Sequence, residues 1–170
     1  MEYKQRLLLL ISGILLMVLG YSCSQSKKNT DQILVKIDSL RKQIDQIKPG
    51  FGEIMGGIQT HHAKLWFAGI NKNWALTEFE IHEIEENIEK IETLYPEDPR
   101  IQTLSMIDPA LDSLEIATKA KQVEKLRKSF SFLTKTCNNC HRANGYEFNI
   151  ITIPDRPPVP NQQFKPEKPK

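Results

Sequence analysis

Residues 123–145, VEKLRKSFSFLTKTCNNCHRANG, place Val123, Leu126, Phe130, Leu133, Cys137 and Cys140 in an unbroken alternation of three and four. That period belongs to an amphipathic α-helix whose apolar stripe faces a core. Gly145 supplies the residue that ends it. Both cysteines fall on the stripe, so the pattern predicts thiols on the interior side of the helix.

Three more helical patterns lie upstream. One starts after the Pro49-Gly50 break and carries Phe51, Ile54, Met55, Ile58, Leu65 and Trp66 on one stripe, ending at Gly69 and the polar residues after it. Gly56 and Gly57 weaken it by about 1 kcal/mol each relative to alanine, and admit either a large neighbour or a kink. A second opens at Asn73 as N-cap and repeats Trp74, Ile81, Ile84, Ile88, Ile91 and Tyr95 until Pro96. Its other faces carry Glu78, Glu83, Glu85, Glu86, Glu89 and Glu92, read as solvated, with His82 among them. PEDPRIQTLSM, residues 96–106, reads as a loop. Asp108 then caps a short helix with Pro109 in its first position and Ile107, Leu111 and Leu114 on one side.

No stretch alternates like a strand. The expected fold class is therefore all-α: an up-and-down four-helix bundle over residues 51–145. Two additions flank it. Ile33, Ile37, Leu40, Ile44 and Ile47 form a heptad seam in a helix over 33–48, which serves as a stalk, as a helix packed on the domain, or as the contact of a homo-oligomer. The tail, residues 146–170, holds six of the chain's ten prolines and is expected to be extended. Its first half, with Tyr146, Phe148, Ile150, Ile151 and Ile153, is apolar enough to pack.

The start of the chain differs from everything after it. Lys4 and Arg6 precede an apolar run of about 13 residues, shorter than the roughly 18 to 20 of a spanning helix. This is the pattern of an export signal over residues 1–22. Cys23 stands where a bacterial lipoprotein is acylated, with a polar tether over residues 23–32, although Leu19 lies one position upstream of the usual place and Tyr21 is bulky for the motif. A soluble periplasmic protein and an uncleaved anchor are the alternatives. The formal net charge of the 170-residue chain is only +2, which gives no electrostatic argument for nucleic acid.

Cys-x-x-Cys-His is the spacing that attaches a haem covalently. Two thiols one helical turn apart reach the two vinyl groups of the porphyrin, and the adjacent imidazole projects toward the iron. Cys137 and Cys140 are thus expected to carry the thioethers of one haem c, and His141 to be the proximal ligand. A disulfide between such close cysteines gains little chain entropy and leaves His141 without a role. A redox-active thiol pair sits at a helix start, not near its end. Zinc would have to recruit His61 and His62, whose adjacent positions lack the usual ligand spacing.

With that motif late in the last of four helices, residues 51–145 resemble the class II c-type cytochromes, bundles similar to cytochrome c-prime. KLWFAGINKNW (64–74), EIHEIEE (80–86) and CNNCHRANGYEF (137–148) look more closely like a small family of exported bacterial monohaem cytochromes. The resemblance implies fold and haem, and says less about physiological role. It also implies that a six-coordinate iron takes a methionine from the first bundle helix.

On that helix, at 100° per residue from Phe51, Met55 lies at about 40°, His62 at about 20° and His61 at about −80°. Met55 and His62 are therefore the distal-ligand candidates, with His61 at the edge of the inward face. Lys119, Lys121, Lys125, Arg127, Lys128, Lys135 and Arg142 gather on or near the haem-bearing helix, where they would steer an acidic redox partner. With no catalytic constellation, the expected function is one-electron transfer on the periplasmic side of a membrane. The alternative is a haem-based binder or sensor of small gases with an open distal site.

Overall fold

The computed structural model describes residues 2–167; the side chains of residues 2, 6, 7, 9, 11, 12, 14–16, 18–26 and 28 lie outside that description. Cys23 is among them, so its expected acylation concerns a side chain outside the described residues. The described residues are all-helical, with no strand. Contacts divide the chain into two units, Met1–Lys48 and Pro49–Lys170.

The first unit is one helix, α1 (Glu2–Ile47). It runs through residues 23–32, the stretch expected as a polar tether. Along the seam, Ile33, Ile37, Leu40, Ile44 and Ile47 are all exposed. Among the described residues no helix is long and apolar enough to cross a membrane.

The second unit contains α2 (Phe51–Ile70), α3 (Trp74–Leu94), a 3-10 helix (Pro99–Ile107), α4 (Asp108–Lys119) and α5 (Val123–Ala143). The predicted stripes meet in one core: Ile54, Ile58 and Leu65 from α2, Ile81, Ile84 and Ile91 from α3, Leu111 and Leu114 from α4, and Leu126, Phe130 and Leu133 from α5. Each such side chain gains about 1.5–3 kcal/mol on full burial. The most extensive pairings are α2 with α3 and α4 with α5. Ser113 and Ser129 tie the second pair through their hydroxyls at 2.6 Å.

Several local expectations need correction. Residues 99–107 are a 3-10 helix where a loop was predicted. The earlier Asp-Pro pair makes the cap: the Asp98 side chain accepts from Arg100 N, and Pro99 opens the turn. Asp108 already has helical angles because the 3-10 helix runs directly into α4, so it caps nothing. α2 ends at Ile70, directly before the polar residues 71–73 as expected, and Gly69 has a further use. It lies inside the helix, where a Cβ would come within 2.5 Å of Leu126, and so lets α2 and α5 approach closely. The chain turns at Lys72 (φ 61), ahead of Asn73, whose side chain caps α3 as expected.

Candidate functional site

α5 ends at Ala143, and Gly145 (φ 77) reverses the chain, with Tyr146 N donating to His141 O. This turn brings residues 146–151 back alongside the last turns of α5. A cavity of about 410 Å3 opens between α2, the 3-10 helix, the end of α5 and this returning segment. Cys137, Cys140 and His141 all line it, as do Met55 and His62 from the opposite helix. The structure therefore gathers every predicted attachment and ligand residue around one space, with His61 excluded.

The cavity wall is mainly apolar, with Phe51, Ile58, Ile88, Leu104 and Ile107 contributing. Burial pushes the Cys137 thiol up to about 11, helped by the neighbouring Cys140. A thiol held protonated in this way is a poor thiolate nucleophile, which argues against a redox-active pair. Both cysteines are unbridged. Thr103 of the 3-10 helix lies 3.5 Å from the Cys140 sulfur.

The His141 imidazole is oriented by the segment beyond it. Nδ1–H donates to the Asn149 carbonyl at 2.6 Å, and because a carbonyl only accepts, this places the lone pair on Nε2. Asn138, inside the CNNCH motif, donates to Ile151 O and accepts from Ile151 N, both at 2.8 Å. Two motif side chains thus hold the same strip of tail.

His62 differs from what an inward ligand candidate would suggest. It is buried, its Nε2–H donates to Thr134 Oγ1 at 2.9 Å, and the Thr134 hydroxyl donates in turn to Phe130 O. The ring packs 4.4 Å from Phe130. Nε2 is therefore engaged, and burial lowers the imidazole's pKa to about 4. Unfolding restores a value near 6.5, so the unfolded chain binds more protons between those two values and stability falls as pH drops through that window. Complete passage through it is expected to cost about 3 kcal/mol. Urea unfolding at about pH 7.5 and about pH 5 checks this, and in His62→Phe the difference between the two should shrink accordingly.

His61 faces away from the cavity and across to α3, where Nδ1–H donates to the buried Glu80 carboxylate at 2.7 Å and Glu83 lies 3.6 Å from Nε2. His82 is exposed beside Glu85 and Glu86, as predicted. His62 shares the cavity with the two cysteines, its Nε2 engaged by Thr134, while His61 turns to α3; no cluster of three or more His, Cys, Asp or Glu suited to a metal ion occurs among the described residues.

Sequence reasoning missed Arg100. It lines the cavity, forms two hydrogen bonds with Asp98 (2.8 and 2.6 Å), donates to Tyr146 OH at 3.1 Å and stacks 3.7 Å from the Phe51 ring centre. These bonds hold the Asp98 carboxyl down at about 2. The Asp98-Pro99 dipeptide was the available signal, since it marks the turn that aims Arg100. Phe164 was also missed: it is buried against Phe67 deep in a proline-rich tail.

The residues can be tested for fit to a covalent haem from the cavity itself. Its volume lies in the range of small-molecule sites, about 300–1,000 Å3. Gly52 and Gly56, one turn apart on α2, both line it, and a Cβ at either would meet nothing within 4 Å. Bare backbone thus faces the space from one side, and two thiols plus an imidazole with a free Nε2 face it from the other. The donor set and the volume are compatible with the group. Comparison of the chain with family models, with curated proteins and with solved structures returns no match.

Proposed function

We propose that this chain is an exported, lipid-anchored monohaem c-type cytochrome that carries single electrons on the periplasmic side of a membrane. The carrying observation is the convergence of Cys137, Cys140 and a tautomerically fixed His141 on one mainly apolar cavity. On this reading α2 to α5 are an up-and-down four-helix bundle of the cytochrome c-prime type, supported by the shared core and by the short α2–α3 and α4–α5 connections. Residues 1–22 are its export signal, Cys23 its acylated residue and 33–47 the seam of a homo-oligomer.

Haem c held there supplies a one-electron Fe(III)/Fe(II) couple. Cys137 and Cys140 would hold it covalently, and His141 would offer it the Nε2 lone pair. Ile58, Ile88, Leu104 and Ile107 keep water from one side of the site, which lowers the local dielectric and strengthens every charge interaction within it. Of the two distal candidates, Met55 has its thioether free, whereas His62 already spends Nε2 on Thr134. Met55 is accordingly the better sixth ligand. The exposed Lys135 and Arg142 near the motif fit an acidic redox partner.

The test is to produce the full chain with haem-maturation machinery and record oxidised and reduced spectra with and without carbon monoxide. Covalently retained haem with low-spin iron indifferent to carbon monoxide is the expected result. Absence of covalent haem overturns the proposal. High-spin iron that binds the gas would favour the second reading, a small-gas binder, which draws on the open space over Gly52 and Gly56.

A cavity-filling variant offers an independent check. Gly56→Leu puts a side chain into that space while raising helix propensity by up to about 1 kcal/mol. Haem loading should fall while thermal stability holds or rises. A drop in both would mean that the space has a purely structural use.

A further inference from the structure

The returning segment after Gly145 is bound to the motif helix more closely than an extended proline-rich tail requires. Asn138 grips Ile151 through both its backbone donor and its acceptor, at 2.8 Å each. Two residues earlier in the tail, Asn149 O receives the His141 Nδ1–H at 2.6 Å. Asn138 and His141 are three apart on α5, so they share a face and meet the same strip at neighbouring points. The strip is anchored further at Tyr146, whose hydroxyl accepts from Arg100, and downstream by Phe164 buried against Phe67. A double hydrogen bond from one amide side chain to one backbone residue sets the register of the strip. A slip of one residue would carry the Asn149 carbonyl away from the imidazole.

We infer that residues 149–151 form a strap that tunes the haem-proximal histidine, and that Asn138 is the positioning residue that holds it. This rests on the reading of His141 as the axial ligand. A carbonyl on Nδ1–H makes the imidazole a stronger electron donor through Nε2, and such outer partners typically matter 10–100-fold. A stronger donor stabilises the ferric state, so the strap lowers the midpoint potential. The neighbouring Asn139 accepts from Arg142 instead of bonding the strap, which makes it an internal control within the same motif.

The experiment compares Asn138→Ala, Asn139→Ala and the unaltered full chain by spectroelectrochemistry. Asn138→Ala is expected to raise the potential so that the ferrous-to-ferric ratio at the original midpoint rises roughly tenfold, equivalent to about 59 mV for one electron. Asn139→Ala should leave it unchanged. Equal potentials in all three proteins overturn the strap. Should Asn138→Ala fail to fold, Ile151→Pro removes one strap bond from an exposed segment and should shift the potential in the same direction; no shift overturns the inference. If the unaltered chain retains no haem, the cytochrome reading fails, and the strap is then judged by nitrogen NMR of His141. Loss of the fixed Nδ1–H tautomer in Asn138→Ala supports it, and an unchanged tautomer refutes it.

Discussion

On the proposed cytochrome reading, replacing Cys137 and Cys140 together by alanine is expected to abolish covalent haem completely while leaving the helices in place. Cys137 is partly buried and packs on the core, so its truncation removes one sulfur's worth of packing, a loss of about 1 kcal/mol. Cys140 lines the cavity near Thr103 and loses less. A domain stabilised by about 5–15 kcal/mol survives both. Haem extraction under denaturing conditions, read beside far-ultraviolet circular dichroism, separates the two effects. Helical content with no covalent pigment is the predicted result, and covalent pigment in the double variant would remove the attachment claim. His141→Ala should behave differently, retaining the pigment through both thioethers while losing the low-spin spectrum.

Phe130→Ala is expected to be the most destabilising single truncation, at about 3–5 kcal/mol. The ring is fully buried and lies 4.9 Å from Trp66 and 4.4 Å from His62, so no neighbour collapses readily into its space. Phe132, two residues along the same helix and 44% exposed, is the control, with an expected change within about 0.5 kcal/mol. Denaturant midpoints at neutral pH decide the comparison. A second consequence concerns His62: water admitted beside it would relieve the burial that depresses its pKa, and the acid sensitivity of the fold should weaken. Equal midpoints for the two phenylalanine variants would contradict the packing described for α5.

Periodicity carried much of the helical architecture. The stripes on α2, α3 and α5, the Asn73 cap and the Gly145 stop all came from spacing within one or two turns, where backbone geometry alone dictates which side chains share a face. The same reasoning located the inward side of α2, and Met55 and His62 do line the cavity while His61 does not. It failed where the meaning of a residue depended on a distant partner. The close approach of Leu126 to Gly69 left no sign around Gly69, because Leu126 belongs to another helix. Asp108 was read as a cap because nothing local announced that the 3-10 helix would run into α4.

What the sequence by itself determined is α2 to α5 and the constellation of Cys137, Cys140 and His141, since spacing within one turn is the same in any fold. Only the tertiary structure decided how those groups are held. Thr134 accepts the hydrogen bond of His62 from 72 residues away, Arg100 reaches Tyr146 across 46, and the tail returns to set the His141 tautomer. Such pairings follow from the packing register of separate elements, which is fixed by the whole core at once and leaves no local trace in the chain.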